Sequence, residues 1–202
     1  MISQFFFCFI NNIFFIQYLK SGNQIGAIFA SGFSSGLANC ANLSNLALNL
    51  CRNQISDEVA SRIGSAIANC SNLQNLKLFL GQNQIGATGA SGLCSILANC
   101  TNLSNLMIGL WGNQIVDEGA SGLGFSQVNY TKLLSLDLNL RENQISEICA
   151  LSLGPALANC TNLLKLTLQL GQNSIQESQQ LKIASKCLKL KRLVVFYIDF
   201  QF

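Results

Sequence analysis

Apolar and polar positions alternate in five short segments of the chain, and each segment lies thirty residues after the one before it. The apolar positions are Leu46-Leu48-Leu50, Leu76-Leu78-Leu80, Leu106-Ile108-Leu110, Leu136-Leu138-Leu140 and Leu166-Leu168-Leu170. Alternation with a period of two is typical of a β-strand that buries one face. The pattern therefore predicts one strand in every unit of thirty residues.

The spacing of apolar residues changes after each strand. Val59, Ile63 and Ile67 follow the first strand at intervals of four residues, which is the spacing of an amphipathic helix. Ser56 or Asp57 is expected to cap the free amides of the first helical turn. Each unit is therefore expected to contain a strand, a turn and a helix.

An asparagine two residues before an isoleucine marks each turn. The motif begins at Asn23, Asn53, Asn83, Asn113, Asn143 and Asn173. A fixed period of this length indicates one structural unit stacked on copies of itself. We expect the six asparagines to form a structural ladder, in which each side chain binds the backbone of adjacent units.

The combined pattern Leu43-x-x-Leu46-x-Leu48-x-Leu50-x-x-Asn53-x-Ile55 resembles the leucine-rich repeat, and the long helical half resembles its ribonuclease-inhibitor-like class. The strand is longer here than in the usual pattern. The resemblance implies an α/β horseshoe-shaped solenoid, with a parallel sheet on the concave face and helices on the convex face. It also implies a non-catalytic scaffold that binds a protein partner through the concave face.

Residues 23–202 are expected to form an array of about six repeats that ends in the middle of a repeat. Residues 1–22 are expected to be a degenerate opening half-repeat, because Ile13 and Ile16 align with Leu43 and Leu46. A signal peptide is the alternative, since Phe5–Phe9 is apolar. No basic residue precedes that run, however, and no small-residue cleavage site follows it.

The side chains that alternate with the buried leucines are predicted to face outward from the sheet. They differ between repeats while their buried neighbours do not, so the exposed face is free to vary. Aromatic, methionine and arginine side chains are enriched at protein interfaces. We predict a protein-binding face that contains Lys77, Phe79, Met107, Trp111, Asp137, Arg141 and Lys165. Ordinary variation of a solvated face, with Trp111 resting against Arg141, is the alternative.

Composition limits the other functions. The formal net charge is +3, too small to favour nucleic acid, and no segment is long enough to predict a membrane span. Five of the basic residues lie near the end of the chain, at Lys182, Lys186, Lys189, Lys191 and Arg192. This cluster is interpreted as a solvated helix or, alternatively, as a surface for an acidic partner or a membrane.

Catalytic and metal-binding chemistry is not predicted. The chain has no histidine to act as a general base and no phosphate-binding glycine loop. Cys40, Cys70, Cys100 and Cys160 occupy one column of the repeat, so we interpret them as buried packing residues rather than ligands, and we predict no cofactor. The odd total of nine cysteines favours a reducing compartment, and we expect a cytoplasmic protein.

Two further functions stay open at this level. The array is compatible with a regulatory segment of a larger protein, such as a protein kinase, although no kinase motif is present. Phenylalanine-rich ends also favour end-to-end self-association into a structural assembly. The partner itself is not predicted by the sequence.

Overall fold

The computed structural model describes residues 8–10, 13–17, 32, 35–37, 40, 42–93, 96, 99–121 and 131–201. Its strands are β1 (Cys8–Ile10), β2 (Ile13–Gln17), β3 (Asn45–Asn49), β4 (Asn75–Phe79), β5 (Asn105–Gly109), β6 (Ser135–Asn139), β7 (Lys165–Gln169) and β8 (Val195–Asp199). The α-helices with described bounds are α1 (Asp57–Ala68), α2 (Ala87–Gly92), α3 (Asp117–Ser121), α4 (Glu147–Ala156) and α5 (Glu177–Cys187). From β3 onward, strand and helix alternate along the chain as the periodicity predicted.

The strands form one sheet in chain order, β1 to β8. Strands β3 to β8 pair in parallel at an offset of thirty residues, so that Leu46 faces Leu76 and Leu76 faces Leu106. Backbone pairing continues beyond the strands, since the amide of Arg52 donates to the carbonyl of Gly81 at 2.9 Å. Each unit therefore adds one strand to a continuous parallel sheet.

The N-terminal strands differ from this pattern. β2 pairs in parallel with β3, but Ile13 faces Asn45 and Phe14 faces Leu46, an offset of 32 residues. The sequence alignment placed Ile16 opposite Leu46, and that register is wrong by two residues. A shift of two keeps the same side chains on each face of the sheet, so apolar alternation alone did not fix the register. β1 then pairs with β2 in the antiparallel direction.

The helices lie on one side of the sheet, and consecutive helices pack against each other. In α1, Val59, Ile63 and Ile67 are buried, as their spacing predicted. The predicted cap is wrong, because the Ser56 side chain makes no capping hydrogen bond. Asp57 instead accepts a hydrogen bond at Oδ1 from the amide of Gly86 in the next unit, at 2.6 Å. The acidic residue joins two repeats and does not close its own helix.

A single hydrophobic core runs between the sheet and the helices. The alternating leucines Leu46, Leu48 and Leu50 are at most 2% exposed, and the equivalent residues of the following units to Leu170 are equally covered. Burial of each side chain contributes roughly 1.5–3 kcal/mol. Every unit covers the leucines of its neighbour, so the core forms only when the units are stacked.

The predicted asparagine ladder forms in the described units. The Nδ2 of Asn83 donates to the carbonyls of Leu50 and Leu80 at 3.0 and 2.8 Å, and its Oδ1 accepts from the amide of Ile55 at 2.9 Å. Asn113, Asn143 and Asn173 repeat this arrangement at thirty-residue steps. No described residue donates to the buried Oδ1 of Asn53. The predicted ladder position Asn23 lies outside the described residues.

Candidate functional site

The candidate site is the concave face, which we define as the outward-pointing side of strands β3 to β8 and of the turns that follow them. Register brings Lys77 of β4, Met107 of β5 and Asp137 of β6 side by side. Lys165 lies at the start of β7, on the same face and well exposed. Thr167 of β7 continues the column of Asp137, and neighbouring side chains leave it only 9% exposed.

The two aromatic residues of the site rest on glycines of neighbouring units. A Cβ atom added to Gly81 would lie 2.2 Å from Nε1 of Trp111, so the indole covers that glycine closely. Phe79 covers Gly109 in the same way, with its Cδ1 at 3.1 Å from the position of a Cβ. The structure places the two rings across the β4–β5 boundary.

Arg141 faces away from Trp111. Its Nη1 forms an ion pair with Oδ2 of Asp199 at 3.1 Å, two strands further along the sheet. The alternative in which Trp111 rests against Arg141 is therefore not what the structure shows. Within the predicted patch, the aromatic pair Phe79 and Trp111 lies at β4–β5, and Arg141 pairs with Asp199 across β6–β8.

A second ladder of asparagines lies on the concave face, and it was not predicted. The Nδ2 of Asn75 donates to Oδ1 of Asn45, and the Nδ2 of Asn105 donates to Oδ1 of Asn75, each at 2.6 Å. These residues share one column of the repeat, and that recurrence was the signal available in the sequence. They line an open depression of about 450 Å³ together with Lys77, Met107, Ser135, Asp137 and Lys165.

The depression carries both signs of charge. Asp137 is on β6, between Lys77 on β4 and Lys165 on β7. Burial raises the pKa of its carboxyl above the ordinary value. Lys165 and a hydrogen bond with Gln169 act in the opposite direction. A half-buried carboxylate flanked by lysines and amides is suited to polar recognition.

Two other kinds of group bear on chemistry, metal-ligating side chains and thiols. Within the described ranges, no group of three or more metal-ligating side chains occurs. Burial raises the pKa of Cys100 and of Cys160 to about 12, so their thiols stay protonated at neutral pH. None of the helices that the structure describes is long and apolar enough to cross a membrane.

Comparisons with known proteins identify the fold. No family model matches the sequence, and no curated protein matches it. The solved structure of leiomodin-1 actin-binding site 2 is similar with a TM-score of 0.54 at 13% identity, over 81% of this chain and 90% of that one. A plant peptide hormone receptor, RGFR1 in complex with RGF2, aligns with a TM-score of 0.30 at 22% identity, over 80% of this chain and 29% of that one.

The first of these similarities concerns the fold alone. Together with the parallel sheet, the helices between strands and the asparagine ladder, it confirms an α/β solenoid of the leucine-rich-repeat type.

Proposed function

We propose that this chain is a non-catalytic scaffold that binds a protein partner through its concave face. One observation carries the proposal: the inward positions of the strands hold leucine or isoleucine from Leu46 to Leu168, while the outward column between them holds a different residue in every unit, namely Ala47, Lys77, Met107, Asp137 and Thr167. A scaffold that is constant inside and variable outside has the form of a recognition surface.

The outward residue types favour protein rather than a small molecule. Phe79 and Trp111 are rigid aromatic groups fixed on Gly109 and Gly81, and such anchors lose little side-chain entropy on binding. The depression beside them is open and lined mostly by amides and charged groups. Small-molecule sites are usually enclosed and apolar. A broad protein contact with an aromatic centre and a polar rim fits this face better.

The proposal is tested by partner capture with a matched pair of variants. The double variant Phe79→Ala/Trp111→Ala removes both anchors from the concave face. Ile148→Ala, on the convex side in α4, removes a side chain that is 75% exposed. Wild type and both variants are immobilised, and bound proteins from a cell lysate are quantified by mass spectrometry. Candidates lost with the first variant and retained with the second are purified and titrated directly.

In the direct titration, loss of the two anchors is expected to weaken binding by about 30-fold or more. Ile148→Ala is expected to leave the affinity unchanged. Circular dichroism melts check that both variants remain folded. Binding that is equally strong with both variants would refute the concave face as the binding surface.

Actin is a reasonable first candidate for the titration, because the fold resembles that of an actin-binding segment of leiomodin-1. At 13% identity this is a reason to test actin and nothing more. We also assign the repeats to the ribonuclease-inhibitor-like class, on the basis of helices such as α1, which has 12 residues.

The proposed location is the cytoplasm. Cys40 and Cys51 are free and partly buried, and Cys70, Cys100, Cys149, Cys160 and Cys187 are free and buried. Free thiols persist in a reducing compartment. Microscopy of a fluorescently tagged protein tests this location, and a secreted protein would refute it.

A further inference from the structure

Three charged side chains line the depression of the concave face in a fixed order. Lys77 is on β4, Asp137 on β6 and Lys165 on β7. Adjacent strands are about 4.8 Å apart, so the backbones of Lys77 and Asp137 are separated by about 10 Å. Lys165 lies two residues before Thr167, the register partner of Asp137, which places its backbone about 8 Å from that of Asp137. The order base, acid, base is therefore fixed by the sheet.

The three charges have no ionic partner within the described part of the chain. None of them forms an ion pair with another described residue, whereas Arg141 and Asp199 neutralise each other further along the face. Both lysines are exposed, and the half-buried Asp137 has a hydrogen bond with Gln169. A carboxylate can accept about four hydrogen bonds, so Asp137 keeps acceptors for a ligand.

Amides beside these charges supply neutral hydrogen bonds. In the second ladder, Asn75 donates one Nδ2 hydrogen to Asn45 and accepts one hydrogen bond from Asn105. An amide group has two such hydrogens and two lone pairs on its oxygen, so one of each remains. Because Asn75 lines the same depression, these remaining groups suit the backbone of a polypeptide that lies across the strands.

We propose that the depression binds an extended segment of the protein partner with the charge order acid, base, acid. A basic side chain of the segment pairs with Asp137, and the two acidic ones pair with Lys77 and Lys165. This segment belongs to the partner of the concave face, so its binding rests on the function proposed above. Charge pairs across an interface set partner choice and register more than affinity.

The distances give the spacing of the charges along the segment. An extended chain advances about 3.3 Å per residue, so about three residues span the step from Lys77 to Asp137. The shorter step to Lys165 spans about two or three residues. Arginine suits the central position, because its planar fork binds a carboxylate through two parallel hydrogen bonds. The expected pattern in the partner is Glu-x-x-Arg-x-x-Glu.

Other charged ligands fit the depression less well. A nucleic acid or an anionic lipid surface carries one sign of charge and would meet the repulsion of Asp137. A small zwitterion is shorter than the distance between Lys77 and Lys165, which is about 16 Å at the backbone. A polypeptide can present both signs of charge at set intervals over this length.

The test uses two labelled synthetic peptides of about nine residues, a length within the range of strands. In the first peptide, threonines separate the charges in the order Glu-x-x-Arg-x-x-Glu. In the second, the arginine and one glutamate exchange places, so the composition and the net charge are the same. Fluorescence anisotropy with the full chain is expected to show saturable binding of the first peptide, about tenfold tighter than that of the second and weaker at high salt.

A double-mutant cycle tests the central contact. Asp137→Asn and, separately, replacement of the peptide arginine by glutamine should each weaken binding about tenfold, and the two changes together should weaken it little more than either alone. Glu142→Gln is the matched control, since Glu142 is exposed in the turn after β6 and does not line the depression. It should leave the affinity unchanged.

A second pair of variants tests a flanking contact. Lys77→Gln should weaken the first peptide about fivefold, because one of its carboxylates loses its partner. Lys182→Gln, at an exposed position of α5, should not change the affinity. Circular dichroism melts check that every variant remains folded.

Three results would overturn the proposal. Absence of saturable binding of the first peptide up to about 1 mM would show that the depression does not receive this segment. Equal affinity of the two peptides would remove the charge order. Additive effects in the cycle would place the peptide arginine away from Asp137.

Failure of the charge match is distinguishable from failure of the proposed function. A partner whose capture is lost with Phe79→Ala/Trp111→Ala but is unaffected by Asp137→Asn would refute the charge match alone and leave the concave face as the binding surface. A partner that is captured equally by wild type and by Phe79→Ala/Trp111→Ala would refute the proposed function, and the segment with it.

Discussion

Two ladders of asparagines run across the sheet at the same thirty-residue interval, and their surroundings differ. In the inner ladder, Asn83 is 9% exposed and makes five hydrogen bonds to backbone groups. In the outer ladder, Asn75 is half-buried and bonds to the asparagines on either side. The inner asparagines form the hydrogen bonds that the backbone groups of the turns need. The outer asparagines bond to each other, at positions that solvent can reach.

The difference shows that recurrence alone does not define the role of a residue. A buried backbone group without a partner costs about 1–3 kcal/mol, so each inner asparagine is required by several groups at once. An outer asparagine that is lost can be replaced by water. The inner ladder is therefore a condition of folding, while the outer one is available for recognition.

The largest effect is expected for Asn83→Ala. The substitution leaves the carbonyl of Leu50 and the amides of Asn53 and Ile55 without their side-chain partner. The carbonyl of Leu80 loses one of its two side-chain donors and keeps the bond from Asn113. We expect the free energy of unfolding to fall by about 3–5 kcal/mol, because several buried groups lose hydrogen bonds together. Urea denaturation followed by circular dichroism measures the change.

The neighbouring Gln84→Ala is the control for this variant, because the side chain of Gln84 is exposed. It should change the unfolding free energy by less than about 0.5 kcal/mol. If Asn83→Ala is as mild as Gln84→Ala, the ladder is not the device that joins the repeats.

A smaller effect is expected for Gly81→Ala, which tests how free the concave face is to vary. The added methyl group would meet the indole of Trp111, so the ring must move. Crowding of this kind costs about 1–2 kcal/mol. Trp111 is the only tryptophan in the chain, so a change in the fluorescence maximum reports its displacement.

The double variant Gly81→Ala/Trp111→Ala separates this contact from a backbone effect. In a chain that already carries Trp111→Ala, adding Gly81→Ala should cost much less stability than it does in the wild type. Gly36→Ala is the steric control, since no atom lies within 4 Å of a Cβ at that position. A loss that is the same with and without the indole would contradict the proposed contact.

The outer ladder is expected to contribute little to stability. Asn75→Ala removes the hydrogen bonds with Asn45 and Asn105 but leaves only groups that water can reach. We expect the unfolding free energy to change by less than about 0.5 kcal/mol. Thermal and urea unfolding measure this directly, and a loss as large as that of Asn83→Ala would remove the distinction between the ladders.

Features that belong to one repeat could be predicted from the sequence. The alternation of Leu46 and Leu48 gave the strand, and the spacing of Val59, Ile63 and Ile67 gave the buried face of α1. The inner ladder could also be predicted, because one asparagine in every unit must serve the same buried turn.

Features that depend on two or more repeats were harder to predict. Asp57 looks like a local helix cap, but its partner is the amide of Gly86 in the next unit. Arg141 reaches Asp199 across an intervening strand, and no spacing within one unit predicts that pair. β2 pairs with β3 two residues away from the expected register, and both registers fit the same alternation of apolar and polar residues. Spacing within a unit does not determine which side chains meet when units stack.

The smallest effect is expected at Asp137, which tests whether the concave face is fully solvated. Burial raises the pKa of its carboxyl, so the ionised form is less favourable in the folded chain than in the unfolded one. This penalty is fully present above the folded pKa and disappears below the ordinary value of 3.8. Asp137→Asn should therefore stabilise the protein at pH 7, by less than about 0.5 kcal/mol for a half-exposed group, and the gain should vanish in acid.

An NMR pH titration of the Asp137 carboxyl measures the same effect without relying on small differences in stability. Its midpoint should lie above the ordinary value and should rise further in Lys165→Gln, because the lysine now favours the charged form. A midpoint at or below the ordinary value would mean that solvent reaches the carboxyl freely. The polar side chains of the concave face would then be fully solvated. Only the contacts of Phe79 and Trp111 at β4–β5 would distinguish this face from an ordinary solvated surface.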